Sequence, residues 1–458
     1  MNFRSASAHV VWPALPEPFG AAMLALQYQF EESEWWPADA MRERQFEQLR
    51  ALLAHCAARI PFYADRLARA GIRDSAGVGP EEWSRIPVLP REHVRAHGEA
   101  LVSPADLEGH GRRRPFSTTG STGMPVRGVQ TQMTDLYWEA VTLRDHLWHG
   151  RDLEGRLAVI RYPMNDAQKA AHGVHAHAWN QGIAAAFVNG PSRMIDVNRP
   201  VPEILDWLLA EPSDYLLVYP SVLRELLRES RRRGAAPRGL GGVITFAEQL
   251  HPGLREQTAS VWGAGLQDIY STTETGYVAL QCPEHPHYHL QSEVCFVEIL
   301  ADDGSPCGPG EIGRIVATPL HNFAMPLLRY EVGDFAEVGP PCPCGRGLPV
   351  VRRILGRVRN MLRRPDGTAI WPNVIGVFEE SEHPIRQLQV VQTAPARLEV
   401  RLVCDPPLTA AAEEQYRAEL RANCGFEIAV DFRYVPAIAR GPGGKYEDFR
   451  TELGGDAV

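Results

Sequence analysis

Phe116-Ser117-Thr118-Thr119-Gly120-Ser121-Thr122-Gly123-Met124-Pro125 is a run of small and hydroxylated residues. Its glycines let the backbone turn tightly and present N–H groups, and its hydroxyls add donors, a combination suited to phosphate oxygens. No Lys-Ser/Thr pair follows the glycines, so the run is not a Walker loop. Taken alone it reads as an ordinary turn, because Ser/Thr/Gly clusters commonly are. Five further stretches follow it in order: Thr245-Phe246-Ala247-Glu248, Tyr270-Ser271-Thr272-Thr273-Glu274-Thr275-Gly276, Leu328-Arg329-Tyr330-Glu331-Val332-Gly333-Asp334, Gly356-Arg357-Val358-Arg359-Asn360-Met361 and Gly443-Gly444-Lys445-Tyr446.

The pattern around these stretches sets the architecture. Phe46, Leu49, Leu53, Cys56 and Ile60 recur at spacings of three and four, which predicts an amphipathic helix ended by Pro61. Between Leu157 and Tyr270, short apolar runs alternate with helical patterns. Leu157–Ile160, Tyr215–Val218, Val243–Phe246 and Leu266–Tyr270 read as strands, with helices over Val222–Arg232 and Pro252–Trp262. Such alternation predicts a parallel sheet covered by helices. Ligands gather where strands of such sheets end, and Phe246-Ala247-Glu248 and Tyr270 to Glu274 both fall at strand ends.

From Val294 the pattern becomes an antiparallel hairpin, Val294–Leu300 and Gly313–Thr318, with a turn at Asp302-Asp303-Gly304. Beyond Ile354-Leu355-Gly356-Arg357, strands over Arg397–Val403 and Ile428–Tyr434 and a helix over Thr409–Cys424 describe a small α+β unit. The expectation is a large α/β N-terminal domain over residues 1–355 and a small α+β C-terminal domain over 356–458, joined by a hinge.

A net charge of -9 provides no basic footprint for nucleic acid. Arg112-Arg113-Arg114 and Arg231-Arg232-Arg233 read as solvated loop or helix ends. No apolar run is long enough for a membrane span, and Met1–Phe19 carries prolines and no continuous apolar stretch. The expected location is therefore the cytoplasm. Of 47 basic residues only Lys169 and Lys445 are lysines, so Lys445, behind two glycines, stands out as a compact cation on a flexible stem.

The six stretches in order resemble the adenylate-forming superfamily of acyl- and aryl-CoA ligases and peptide-synthetase adenylation domains. Within it the phenylacetate-CoA ligase-like proteins are the nearest likeness. Leu49–Ile72, with Ile60-Pro61-Phe62-Tyr63, and Arg85-Ile86-Pro87-Val88-Leu89 also look like that subfamily. The resemblance implies ATP-dependent activation of a small-molecule carboxylic acid as an acyl-adenylate, followed by thioester formation with coenzyme A. By the same likeness, Thr118, Thr119, Gly120, Ser121, Thr122 and Gly123 supply donors to the phosphates. Ala247, Glu248, Tyr270, Ser271, Thr272 and Thr273 line the nucleotide, Glu274 holds Mg²⁺, and Asp334 accepts the ribose hydroxyls. Arg357 contacts the nucleotide from the junction, and Lys445 bridges the carboxylate and α-phosphate as charge builds.

The chain departs from the pattern in three places. Val126 follows Pro125 where many relatives carry lysine, Glu331-Val332 replaces the common Arg-Thr, and Arg359-Asn360 stands where two aspartates are usual. The last change bears on the acyl acceptor, and a carrier-protein thiol or an amine is the alternative to coenzyme A. A reading from another class is a silent nucleotide-binding scaffold. Retention of Glu274, Asp334, Arg357 and Lys445 together argues against it.

Eight unevenly spaced cysteines do not form a disulfide framework. Cys282 and the pair Cys342-Pro343-Cys344-Gly345, with one histidine, make a sound tetrahedral set for structural Zn²⁺. Some phenylacetate-CoA ligase-like proteins look similar here, with a histidine seven residues after the first cysteine. That selects His289, with His285 as runner-up; the plain alternative is reduced, unpaired thiols. Tyr137, Trp138, His146, Trp148, His149, His177 and Trp179 lie where relatives build the acyl pocket and suit a flat aromatic acid, such as an aryl or arylacetic acid.

Overall fold

The computed structural model describes residues 2–453, apart from 119–124, 171, 252, 358–359, 373, 375 and 379–382. The chain divides into two compact units. One comprises Met1–Leu157, His175–Ser192 and Asp268–Ile354, the other Ala158–Val174, Arg193–Gln267 and Leu355–Val458.

In the first unit, helices Pro18–Ser33, Ala38–Arg59 and Pro61–Arg69 follow one another. Pro61 disfavours helical geometry in the residue before it, so Ile60 is extended at φ -126°, and the proline then opens the next helix. The expected apolar stripe is real: Phe46, Leu49, Leu53, Cys56 and Ile60 are all buried in the main core. Strands Arg113–Ser117 and Arg127–Thr131 pair antiparallel on either side of the Ser/Thr/Gly run. Helix Gln132–Trp148 follows. The expected hairpin appears as Cys295–Leu300 paired with Ile312–Pro319, and the sheet continues through Tyr330–Val338, Val350–Arg357, Tyr288–Leu290 and Gly276–Gln281. Gly276–Gln281 also pairs antiparallel with the end of Gly265–Thr272.

A fully buried guanidinium braces this unit. Arg144 donates to Glu293, Gln291 and the Phe30 carbonyl, and it lies 4.4 Å over the Phe30 ring. Hydrogen bonding on this scale makes its burial tolerable.

In the second unit, strands Tyr215–Val218 and Gly242–Phe246 are parallel, Tyr215 opposite Gly242 and Val218 opposite Thr245. Their sheet extends through Leu157–Arg161 and Ser192–Asp196 to Val174–Ala176. Helices Val201–Ala210, Pro220–Arg233 and Leu254–Trp262 bury Leu205, Leu223, Leu226 and Leu254 against it. The chain re-enters this unit at Leu355. There it builds a four-stranded sheet in the order Ala429–Tyr434, Arg397–Cys404, Ile385–Ala394, Phe449–Thr451. Helix Ala410–Cys424 covers it, started by Thr409, whose hydroxyl accepts from the Ala412 amide at 3.2 Å. This is the expected α+β element with its own core of Leu388, Val390, Leu398, Val400 and Leu420. Among the described residues no helix is long and apolar enough to cross a membrane.

Candidate functional site

In the first unit the motif residues converge on a buried ion pair. Arg91 Nη1 lies 2.6 Å from Glu274 Oε1, with both side chains largely buried. The same nitrogen donates to the Tyr330 hydroxyl at 3.0 Å, and Arg91 Nη2 to Thr118 Oγ1 at 3.5 Å. Thr118 in turn closes the neck of the Ser/Thr/Gly loop. Its amide donates to the Val126 carbonyl and its hydroxyl accepts from the Val126 amide, each at 2.9 Å. Thr119 to Gly123 lie outside the described residues.

Asp334 and Tyr270 also meet: the tyrosine hydroxyl donates to Asp334 Oδ2 at 2.8 Å. Thr272 and Thr275 close a hydroxyl turn at the end of the strand, and Gln130 donates to the Thr273 carbonyl at 2.8 Å. Sequence reasoning missed Arg91. It sits beside Tyr330 because Leu89 exchanges backbone hydrogen bonds with Arg329 and Glu331, a pairing no local pattern announces.

Beside Glu274 and Thr275 a cavity of about 70 Å³ opens, walled by Tyr137, Trp138, Tyr277, His321 and Asn322. The His321 ring stacks on Tyr137 at 3.7 Å, and burial pushes its pKa down to about 3, so it presents a neutral face. Of the seven aromatics assigned to the acyl pocket, Tyr137 and Trp138 line this cavity and the other five do not. Trp179 packs on His146, Trp148 meets His289, His149 faces Asp145, and His177 is exposed.

In the second unit Phe246-Ala247-Glu248 stands at the end of its strand, with Ala247 in the left-handed region at φ +68°. The Glu248 carboxylate is engaged by backbone: Oε2 accepts from the Ser221 amide at 3.0 Å and Oε1 from the Tyr446 amide at 2.6 Å. The loop bearing Lys445 is thus held by this motif. Gly444, at φ +74°, passes so close to Val197 that a Cβ would lie 2.6 Å from Cγ1, so only glycine fits before the lysine.

The Arg357 amide donates to Asn360 Oδ1 at 3.1 Å, and Asn360 Nδ2 donates to the Phe449 carbonyl at 2.7 Å. The second bond needs an amide, which explains asparagine here in place of an acid; Arg359 lies outside the described residues. Asn360→Asp removes the donor and sets a carboxylate against a carbonyl. It is expected to cost about 1–3 kcal/mol, read as a lower urea midpoint, and an unchanged midpoint refutes this account.

The sulfur cluster assembles as the sequence suggested. The ligand atoms of Cys282, His289, Cys342 and Cys344 all lie within 4.8 Å of one another. Gly345, at φ +89°, turns the loop so that both thiols face inward. His289 Nδ1 lies 3.3 Å from the Leu348 carbonyl, which makes that nitrogen the donor and leaves the Nε2 lone pair facing the thiols. Burial pushes His289 down to about 4, so it stays a neutral ligand, and burial pushes the Cys342 thiol up to about 12. A divalent cation offsets the cost of that thiolate. His287, not His285, is the other nearby imidazole, with Nε2 2.9 Å from Cys342 Sγ. Arg346, next in the loop, stacks on Trp35 and Trp148 and pairs with Glu34, while the Gly347 amide donates to the Glu34 carbonyl at 2.8 Å.

The fold, with its ordered motifs, is that of the adenylate-forming ligases. A solved 2-hydroxyisobutyryl-CoA ligase with R3-HIB-AMP matches it with a TM-score of 0.72 over 92% of both chains, at 18% identity. An anthranilate CoA ligase with anthranoyl-AMP matches at 0.55 over 72% of this chain and 64% of that one, at 14% identity. In sequence, the chain is 28% identical over 353 residues to a phenylacetate-coenzyme A ligase of Thermus thermophilus, covering 74% of each. It is 25% identical over 401 residues to one of Pseudomonas putida, covering 84% of this chain and 83% of the relative. Residues 362–449 match the CapK C-terminal domain model. The resemblance drawn from the six motifs holds.

Proposed function

We propose that this chain is a cytoplasmic AMP-forming acid–CoA ligase that activates a small aryl or arylacetic acid. The acid's carboxylate attacks the α-phosphate of ATP, pyrophosphate leaves, and the thiol of coenzyme A then displaces AMP from the acyl-adenylate. The observation that carries this reading is the similarity to phenylacetate-coenzyme A ligases over about three quarters of the chain, with Glu274, Asp334, Arg357 and Lys445 all retained.

Residues 1–355 would form the adenylating domain and 356–458 the mobile one. Thr118 to Gly123 donate to the phosphates, Ala247, Glu248 and Tyr270 to Thr273 line the nucleotide, Asp334 anchors the ribose, and Arg357 contacts the nucleotide from the junction. Glu274 would hold Mg²⁺, which suits a single carboxylate plus phosphate oxygens and water; the ion supplies charge neutralisation at the phosphates. Arg91 holds Glu274 Oε1 in a fixed rotamer, so the carboxylate is pre-oriented. The cavity at Tyr137, Trp138 and Tyr277 would take the aromatic ring, with neutral His321 as its polar wall. Zn²⁺ at Cys282, His289, Cys342 and Cys344 would be structural, since four protein ligands leave no open position.

The test is acid-dependent pyrophosphate exchange across benzoate, phenylacetate and straight-chain acids, followed by coenzyme A consumption. Exchange with the aromatic acids and a thioester product are expected. Exchange without a coenzyme A product transfers the acyl group to another acceptor, and no exchange with any acid refutes the reading.

A further inference from the structure

We propose that two buried ionic clusters, one on each side of Lys445, form a latch that positions the 440–448 loop for the first half-reaction; this rests on the acid-activating reading above. Before the lysine, Arg440 Nη2 lies 2.7 Å from Glu225 Oε1, and Nη1 donates to Ser221 Oγ at 2.8 Å. After it, both oxygens of Asp448 are bound by Arg224, and His251 Nε2 lies 2.8 Å from Asp448 Oδ2. Between them the Tyr446 amide is held by Glu248, and the Tyr219 hydroxyl donates to the Gly443 carbonyl at 3.3 Å. Arg224, Glu225 and Ser221 all belong to the Pro220–Arg233 helix. One rigid helix therefore fixes the loop at positions five residues before the lysine and three after it.

The chemistry of these contacts suits a catch and does not suit a weld. A buried ion pair is strongly directional, yet much of its attraction is offset by lost hydration, which returns when the pair opens. Apolar packing over the same area holds without fixing direction. Arg224, Asp448, Arg440 and Glu225 are each at most one-tenth exposed, so the pairs are undiluted by solvent while closed. None of the four touches the reacting atoms in the reading above. They act by placing the lysine-bearing backbone, where a displacement of about 1 Å costs on the order of a hundredfold in rate.

Two measurements on the full chain test this. Hydrogen exchange of the 440–448 segment reads the latch without reference to activity. Asp448→Asn and Arg440→Gln are each expected to speed exchange there about tenfold. With phenylacetate as the probe acid, both variants should lose about a hundredfold in pyrophosphate exchange, while coenzyme A consumption of supplied phenylacetyl-adenylate stays within about threefold of the parent. Where a single replacement leaves the chain unfolded, Arg224→Leu/Asp448→Leu removes the charges together and strands neither. Unchanged hydrogen exchange in the variants overturns the latch. Faster exchange with both half-reactions falling equally overturns its assignment to the first step. A parent chain inactive in pyrophosphate exchange overturns the acid-activating reading and that assignment, and the protection of the loop then decides the docking alone.

Discussion

Lys445→Ala is expected to lower acid-dependent pyrophosphate exchange about a thousandfold, the order seen when one preorganised charge-stabilising donor is removed. Negative charge shifts onto the α-phosphate oxygens as the carboxylate attacks, so the ammonium interacts more strongly with the transition state than with bound substrates. The loss should therefore appear in kcat, with KM for the acid little changed. The backbone that presents this lysine is set by Gly443 and Gly444 and by the Gly441 amide, which donates to the Lys445 carbonyl at 2.8 Å. Alanine keeps all of that, and the unfolding free energy should change by no more than about 0.5 kcal/mol. Lys445→Arg should not restore the rate, since a planar fork does not replace a point charge. Near-parent exchange in folded Lys445→Ala sinks the assignment.

Cys342→Ser is expected to abolish tight zinc binding and to lower the thermal midpoint by at least about 5 °C, against about one zinc per parent chain prepared with the metal. The cluster is motivated by four convergent ligand atoms and by the His289 tautomer that the Leu348 carbonyl selects. Stability should fall before chemistry does, because the loop's neighbours are Glu34, Trp35 and Trp148, and not the Arg91–Glu274 pair. A parent protein that contains no zinc after supply, with the same midpoint as Cys342→Ser, refutes the site.

Much of this was legible in the sequence where the signal is local. The strands at Tyr215–Val218 and Arg397–Cys404 announce themselves by apolar runs, and the helix at Ala410–Cys424 by its period and its Thr409 cap. Cys-Pro-Cys-Gly betrayed the thiol turn for the same reason. Charge partners were not legible. Arg91 and Glu274, or Arg224 and Asp448, are separated by long stretches of chain and become neighbours only when helices pack against distant loops. In a chain that uses arginine almost wherever it needs a cation, no single arginine is marked out by type. The pocket aromatics divided for a related reason. Tyr137 and Trp138 face the cavity, while Trp148, on the same helix, turns toward His289 in the thiol cluster. Those long separations and shared helices carry no compositional trace.

The docking of the 342–347 loop on the N-terminal helices has a consequence for synthesis. Glu34 and Arg346 are 312 positions apart. At about 5–20 residues per second, the ribosome takes roughly 15–60 s to deliver the second partner after the first. Throughout that interval Glu34 and the Trp35 ring await the arginine that packs on them. The loop that carries Cys342 and Cys344 is thus a late addition to the N-terminal helices, and any metal it takes would be captured later still.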